Sequence, residues 1–338
     1  MPVTADTDLQ PGARNAIRVC LNVQPHERVT VITDEACAEI AQALVREIEA
    51  VGASHRLFVL ERETTRPTRT LPAAIAADME LSGVSIFAAH AQANELGSRM
   101  QMTDIVNRRR MRHAHMVNIT PQIMVEGMRA DYATVDRISR RVLDIVRPAR
   151  AIRATTPAGT DLTATLNPAY KWIKTSGLIT PEKWGNLPGG EVFTTPGEVN
   201  GTLVIDGVVG DWLCDRYGNL QASPLTLRVE KNRLVEATSP NKALEDDFWR
   251  YTHTDENSDR VGEFAIGTNI ELRRVIGHIL QDEKFPGVHI AFGNPYGAHT
   301  GADWYSSTHI DVVGTNFDIW VDGEPIMRRG QFMMSGDA

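Results

Sequence analysis

The triplet HID places His309 and Asp311 two positions apart in STHIDVVG, a stretch that otherwise has the composition of a buried strand. Successive strand side chains point to opposite faces, so residues i and i+2 share a face. An imidazole and a carboxylate on one face could act as two ligands of one metal ion, or the carboxylate could orient the histidine through a hydrogen bond. Because such triplets are common by chance, this one predicts a site only together with partners elsewhere.

Three other stretches also set ionisable residues among glycines and apolar residues. Glu191 lies in NLPGGEVFTTP, Glu263 in VGEFAIGTN, and His289 with Tyr296 in GVHIAFGNPYG. An unpaired charge is costly in such a setting. Each residue alone has an ordinary explanation: a turn or cap for Glu191, a core hydrogen bond for His289. Glu263 could pair with Arg260, and Tyr296 could belong to a turn.

Taken together, the acids and histidines form a donor set for metal ions. Two Glu, two His and one Asp are enough to hold two divalent ions, with one bridging carboxylate and room for a water. Zn, Mn, Co and Fe all accept such oxygen and nitrogen ligands, so the ligand types do not select the metal. We therefore expect divalent metal ions, two in number, as the cofactor.

The elements that position these residues differ between the two halves of the chain. In the first half, strand and helix patterns alternate as in βαβ units. Strands are predicted at 26–34, 54–61, 83–90 and 114–120, and helices at 35–53 and 130–149. Residues 1–150 are thus predicted to form an α/β N-terminal domain with a Rossmann-like open sheet. No GxGxxG or P-loop pattern follows the first strand, which argues against nucleotide binding.

After residue 150 the pattern changes to short alternating stretches, such as DLTATL, GTLVIDGVV and LTLRVEKNRLVEA, separated by Gly, Pro, Asn and Asp. These predict an α+β, mostly antiparallel β-rich C-terminal domain over 151–338 that carries the metal site. One helix is expected within it, ELRRVIGHILQDEK, over 271–284.

Composition limits the class of partner. With 35 basic and 43 acidic residues the formal net charge is −8, which disfavours nucleic acid as a partner. The start of the chain lacks the features of a signal peptide and no run reaches the length of a membrane span, so we expect a cytoplasmic protein. Cys20, Cys37 and Cys214 are scattered and odd in number, so they predict buried small residues in a reducing compartment rather than disulfides.

The four site stretches, together with the spacing in IGHILQDEKFPGVHIAFGNPYG, resemble the metal-site segments of the thermophilic-type M29 metallo-aminopeptidases, the aminopeptidase T family. The resemblance covers the second half in order and, more weakly, the opening of the chain. It implies metal ligands at Glu191, Glu263, His289, His309 and Asp311, with catalytic roles for Glu191, Glu263 and Tyr296. It also implies a homodimer. In one departure from the family, Gly190 stands where an acid often precedes the glutamate of VFT.

This resemblance implies a dinuclear hydrolase of an amide or peptide-like bond, acting on a short peptide or a small non-peptide amide. Two metal ions would lower the pKa of a water and polarise the carbonyl. Glu191 or Glu263 would carry the proton to the leaving nitrogen, and Tyr296 would donate a hydrogen bond to the oxyanion or act as a weak metal ligand.

Two other functions compete with this hypothesis. The iron-dependent 2,5-dihydroxypyridine dioxygenases resemble the same superfamily, and their two-His, one-Asp set would fall on His289, His309 and Asp311. Retention of Glu191 and Glu263 favours the hydrolase. A non-catalytic metal-binding module is the third possibility, although a structural site needs only four ligands.

Overall fold

The computed structural model describes residues 8–210 and 212–333. Its strands, in chain order, are β1 (Arg28–Thr33), β2 (Ser54–Val59), β3 (Val84–Ala88), β4 (Arg112–His115), β5 (Ala151–Thr155), β6 (Asp161–Leu166), β7 (Ile173–Thr175), β8 (Gly185–Asn186), β9 (Glu191–Thr194), β10 (Pro196–Ile205), β11 (Val208–Val209), β12 (Leu225–Glu230), β13 (Arg233–Thr238), β14 (Val261–Gly267), β15 (Gly287–Gly293), β16 (His309–Val313), β17 (Asp318–Val321), β18 (Glu324–Arg328) and β19 (Gln331–Phe332).

Its α-helices are α1 (Gln10–Arg14), α2 (Ala38–Val51), α3 (Leu60–Glu63), α4 (Ala73–Met79), α5 (Leu96–Arg109), α6 (Pro121–Val125), α7 (Tyr132–Val146), α8 (Trp212–Tyr217), α9 (Lys242–Tyr251), α10 (Ile279–Asp282) and α11 (Gly297–Thr300). A π-helix, Asn15–Cys20, and a 3-10 helix, Gly127–Arg129, also occur. Over the described ranges, no helix has the length and apolar character needed to cross a membrane.

The chain packs as two compact units. The first contains the residues up to Ala133 and Gly177–Gly189, and the second contains Thr134–Ser176 and the chain from Gly190 onward. The predicted fold class, an α/β region before a β-rich region, is confirmed. The domain bounds 1–150 and 151–338 stay a prediction.

The first unit is built on a parallel sheet with the strand order β2-β1-β3-β4-β8. Strand β3 is buried along its whole length, and β1 beyond its first residue, as expected for parallel strands covered on both faces. Because β1 has its sequence neighbour β2 on one side and β3 on the other, the topological switch point lies between β1 and β3. The strand predicted at 114–120 is found earlier, as β4, because the backbone turns at Asn118, whose φ is +58°.

The second unit contains two antiparallel sheets, in the orders β13-β12-β10-β6-β5-β17-β18-β19 and β11-β16-β15-β14-β9-β7. Alternation along β14, β15 and β16 directs Phe264, Ile290 and Val312 into a large apolar core. The residues between them must therefore point to the opposite face of the six-stranded sheet. That face holds the ionisable residues of the four site stretches.

The helix predicted over 271–284 is wrong for most of its length, since only α10 forms. Gly277 has a φ of +82°, and His278 is extended. The carboxylate of Asp282 accepts the backbone N–H groups of Ile276, Gly277 and His278. These bonds stabilise a turn in place of helix, so the helix begins only at Ile279.

Candidate metal centre

Four adjacent strands of the six-stranded sheet bring the five predicted ligands onto one face. Across β15 and β16, Ala291 pairs with Asp311 and Gly293 with His309. Across β15 and β14, Ala291 also pairs with Glu263, and His289 with Ala265. Glu191 on β9 pairs with Gly267 on β14. Directly paired residues share a face, so Glu191, Glu263, His289, His309 and Asp311 form one group, here called the acid–histidine cluster.

Small residues leave room at the centre of this face. Ala291 stands between Glu263 and Asp311 in the register, and Gly293 stands beside His309. Ala265 stands opposite His289. The ionisable side chains therefore converge over positions whose own side chains are a methyl group or a hydrogen atom.

Distances divide the cluster into two overlapping groups of possible ligands. Glu191, Glu263 and His289 form one, and Glu263, His309 and Asp311 form the other, each with ligand atoms within 4.8 Å of one another. His289 Nε2 lies 3.5 Å from Glu191 Oε2 and 3.5 Å from Glu263 Oε1. His309 Nε2 lies 3.5 Å from Asp311 Oδ1 and 3.8 Å from Glu263 Oε2. Glu263 thus offers one oxygen to each group.

These spacings fit divalent metal ions better than a hydrogen-bond network. His289 Nε2 is buried and makes no hydrogen bond, although a buried polar atom normally has a partner. Two ligand atoms on a tetrahedral ion, with metal–nitrogen and metal–oxygen bonds of about 2.0–2.2 Å, stand about 3.3–3.5 Å apart. Three of the four nitrogen–oxygen distances are at this value, so the residues present fit the ion.

A hydrogen bond outside the cluster orients His309. Its Nδ1 lies 2.8 Å from the carbonyl oxygen of Asn294. Since a carbonyl only accepts, Nδ1 must carry the hydrogen, which leaves Nε2 as the atom that faces Glu263 and Asp311. Second contacts of this kind hold metal-binding histidines in one tautomer and orientation.

Glu191 is held by residues that the sequence did not single out. Its Oε1 accepts hydrogen bonds of 2.7 Å from Thr175 Oγ1 and 2.7 Å from Lys284 Nζ. Lys284 also pairs with Glu283 and is only 1% exposed. With Oε1 occupied, Oε2 is the oxygen left to face His289. The incorrect helix prediction over 271–284 is why Lys284 was not identified. On a solvent-exposed helix, Glu283 and Lys284 would be common surface residues without a role in a site.

The departure at Gly190 has a local physical reason. Gly190 adopts a φ of +130°, and a Cβ there would lie 2.6 Å from the Cβ of Asn269. Its N–H donates a hydrogen bond to the carbonyl oxygen of Thr175, and its carbonyl oxygen accepts one from the N–H of Thr268. An acidic residue does not fit this position, and the tight backbone positions Glu191 at the start of β9.

Without metal, protons would balance the negative charge of the cluster. Burial opposes the charged form of His309, but Asp311 and Glu263 outweigh burial and raise the pKa of His309 to about 10. Burial likewise opposes the charge on His289, whose pKa the neighbouring carboxylates still raise. Burial raises the pKa of Glu263. In contrast, the pKa of Glu191 falls despite burial because Lys284 and His289 stabilise its anion.

Tyr296 lies at the edge of the acid–histidine cluster. Its ring centroid is 4.3 Å from that of His309, and 43% of its surface is exposed. Its backbone φ is +49°, a left-handed conformation uncommon for a tyrosine. The structure therefore brings all six predicted site residues together. His253 and His299 lie outside the four site stretches and belong to none of the possible metal groups among the described residues.

The chain is similar to proteins of known family and fold. The model of the thermophilic metalloprotease family (M29) matches residues 130–332. Among curated proteins, no significant match is found. A 2,5-dihydroxypyridine dioxygenase from Pseudomonas putida KT2440 has a similar solved structure, with a TM-score of 0.71, 15% identity and 99% of each chain covered. Wild-type AmpT from Thermus thermophilus has a TM-score of 0.67 and 19% identity over 96% of this chain and 99% of its own. At such identities the two likenesses show the fold alone.

Proposed function

Since the chain belongs to the thermophilic metalloprotease (M29) family, we propose that it is a dinuclear metal-dependent hydrolase of an amide or peptide-like bond. The family predicted from the sequence motifs is thereby confirmed. The number of ions, the bond cleaved and the substrate are the proposal. A short peptide or a small amide is the proposed substrate, and the homodimer and the cytoplasmic location stay predictions.

The main support for two ions is the position of Glu263, which belongs to both groups of possible ligands. One of its oxygens faces His289 and the other faces His309. A mononuclear site needs three or four ligands, whereas five residues in two overlapping groups suit two ions with one bridging carboxylate. Glu191 and His289 would then hold one ion, His309 and Asp311 would hold the other, and Glu263 would contribute to both.

The chain's own residues would perform distinct parts of the hydrolysis. Two divalent ions, when bound, supply Lewis-acid polarisation of a carbonyl and a more acidic water. Glu191, held as an anion by Lys284, supplies permanent charge, and Glu191 or Glu263 would carry the proton to the leaving nitrogen. Tyr296, beside His309, is exposed enough to donate a hydrogen bond to the oxyanion of a bound substrate.

The second candidate is an iron-dependent ring-opening dioxygenase, because one solved structure of this fold is a 2,5-dihydroxypyridine dioxygenase. Such an enzyme would use His289, His309 and Asp311 and would leave coordination positions for substrate and O₂. It gives no role to Glu191 and Glu263, which lie buried within the cluster. Two buried carboxylates without a partner ion would destabilise the fold, because burying a charge costs free energy. Their presence therefore favours the hydrolase.

Metal content per chain tests the proposal. Elemental analysis would compare the anaerobically purified protein, Glu263→Gln and, as a matched control, Glu324→Gln, which alters an exposed glutamate on β18. Of the two ions expected in the acid–histidine cluster, we expect Glu263→Gln to lose one or both, and the wild type and the control to keep both. A single iron in all three proteins would refute the dinuclear centre.

Activity distinguishes the two candidates directly. Metal-replete protein would be assayed for release of an aromatic amine from aminoacyl anilides, and for O₂ uptake with 2,5-dihydroxypyridine. We expect amide cleavage that Glu263→Gln abolishes and Glu324→Gln retains. Oxygen uptake without amide cleavage would establish the dioxygenase instead.

A further inference from the structure

A second group of possible metal ligands lies in the first unit, at the topological switch point of the parallel sheet. Asp34 directly follows β1, His90 comes two residues after β3, and Cys37 immediately precedes α2. In open α/β sheets, ligands bind at the carboxyl ends of the strands where the strand order reverses. These three residues, here called the switch-point cluster, stand at that position.

The spacing of the three side chains matches a tetrahedral ion. His90 Nδ1 lies 3.6 Å from Cys37 Sγ and 3.3 Å from Asp34 Oδ2, and all three ligand atoms lie within 4.8 Å of one another. With zinc bonds of about 2.3 Å to sulfur, 2.0–2.1 Å to nitrogen and 2.0–2.2 Å to oxygen, the tetrahedral edges are about 3.5–3.6 Å for S···N and 3.3–3.5 Å for N···O. Both measured distances fall on these edges.

We propose that Asp34, Cys37 and His90 form a second metal site, which binds Zn²⁺ or Co²⁺ with a water molecule as the fourth ligand. The thiolate and imidazole donors select borderline-soft ions over Mg²⁺ and Ca²⁺. This site is separate from the acid–histidine cluster and does not depend on the function proposed above.

Backbone contacts already fix the carboxylate that would bind the ion. Asp34 Oδ1 accepts the N–H of Cys37 at 2.8 Å, and Oδ2 accepts the N–H of His90 at 2.7 Å. The same carboxylate therefore positions both of the other ligands. A preorganised ligand set reduces the entropy lost when the ion binds.

The charge around the cluster favours a cation. Asp34, Glu61 and Glu95 all pair with a single cation, Arg66, whose side chain is 4% exposed. Three carboxylates against one guanidinium leave a local excess of two negative charges. If an ion displaces Arg66 from Asp34 Oδ2, the guanidinium keeps Glu61 and Glu95 as partners, so no buried charge is left unpaired.

Solvent reaches the cluster from the side of His90. The His90 side chain is 44% exposed, whereas that of Asp34 is 3% exposed and Cys37 is buried. One open side gives an entry path and a place for the fourth ligand. Burial and Asp34 raise the pKa of the Cys37 thiol to about 12, so binding must release a proton. A thiol in that state is also a poor nucleophile, which argues against a catalytic cysteine.

Cobalt absorption tests this site independently of the other. A thiolate bound to Co²⁺ gives a sulfur-to-metal charge-transfer band in the near ultraviolet, and a metal-bound thiol is deprotonated. The acid–histidine cluster contains no cysteine, so its cobalt cannot produce this band. Metal-free full-length protein would be titrated with Co²⁺ as wild type, Cys37→Ser, His90→Gln, Glu263→Gln and Cys214→Ser, the last altering a buried cysteine outside the cluster.

We expect the band in wild type, Cys214→Ser and Glu263→Gln, and no band in Cys37→Ser. In His90→Gln, which changes a partly exposed side chain and should fold, the Co²⁺ affinity should fall at least about tenfold. Absence of the band in wild type at saturating Co²⁺, or its persistence in Cys37→Ser, would overturn the proposal. Loss of metal in Glu263→Gln with the band retained would leave this site established, whatever becomes of the proposed hydrolase.

Discussion

The metal-free protein should lose stability as pH rises from about 6.5 to about 10, and His309 is the main cause. Asp311 and Glu263 overcome burial and raise its folded-state pKa to about 10, against about 6.5 in an unfolded chain. A raised folded-state pKa contributes stability that is complete below the unfolded value and is lost as pH passes through the folded value. The gap corresponds to about 5 kcal/mol at most.

Neither Glu283, which pairs with Lys284 beside the cluster, nor Asp311 and Glu191 within it reverse this sign. Burial raises the pKa of Glu283 to about 8, so its contribution is also lost as pH rises through that value. The pKa values of Asp311 and Glu191 are lowered. Their contributions are present above the unfolded carboxyl pKa of about 4 and stay constant across this window.

Urea unfolding of chelator-treated protein at a series of pH values measures the effect. We expect the free energy of unfolding to fall by several kcal/mol across the window, and the slope to become shallower in Asp311→Asn, which removes the main charge that raises the pKa of His309. Reloading with metal should flatten the slope, because a ligating histidine is already neutral. A free energy of unfolding that is independent of pH in the metal-free protein would refute the reasoning.

Three further substitutions test the supports of the acid–histidine cluster. Lys284→Met removes a buried cation and should cost about 3–5 kcal/mol in urea unfolding, whereas the exposed Lys242→Met should change stability little. Gly190→Ala, at φ +130° and with a Cβ contact of 2.6 Å, should cost about 1–3 kcal/mol, whereas Gly185→Ala, whose Cβ meets nothing within 4 Å, should be nearly neutral. Ala291→Leu should fill the centre of the site face and lower metal content with the fold retained by circular dichroism; unchanged metal content would contradict the placement of the ions.

The residues that the six-stranded sheet brings together could be predicted from the sequence because they follow strand periodicity. His309 and Asp311 are two residues apart, and Phe264 and Ile290 next to Glu263 and His289 indicate which face is buried in the core. The order of the four motifs along the chain then indicated the remaining residues of the group. Antiparallel strand pairing brings these residues onto one face of the sheet. The same periodicity, applied to DLTATL and similar stretches, predicted the β-rich region.

What the sequence could not give depends on contacts between distant segments. The turn at Gly277 is stabilised by the carboxylate of Asp282, and no apolar period signals it. The role of Lys284 arises from its contact with Glu191, 93 residues away in the chain. Likewise, Asp34 and His90 are 56 residues apart and meet only because β1 and β3 are neighbours.

Charge balance gives a further reason to expect more than one ion at the acid–histidine cluster. Burial keeps Glu283 mainly protonated at neutral pH, so Glu191, Glu263 and Asp311 oppose the ammonium of Lys284, and two negative charges remain when the histidines are neutral. One divalent ion would only neutralise the site, so that a hydroxide or an oxyanion would make it negative. Two would leave two positive charges, which stabilise the oxyanion of amide hydrolysis. The buried charge of this centre therefore suits a two-metal hydrolase better than a mononuclear iron enzyme.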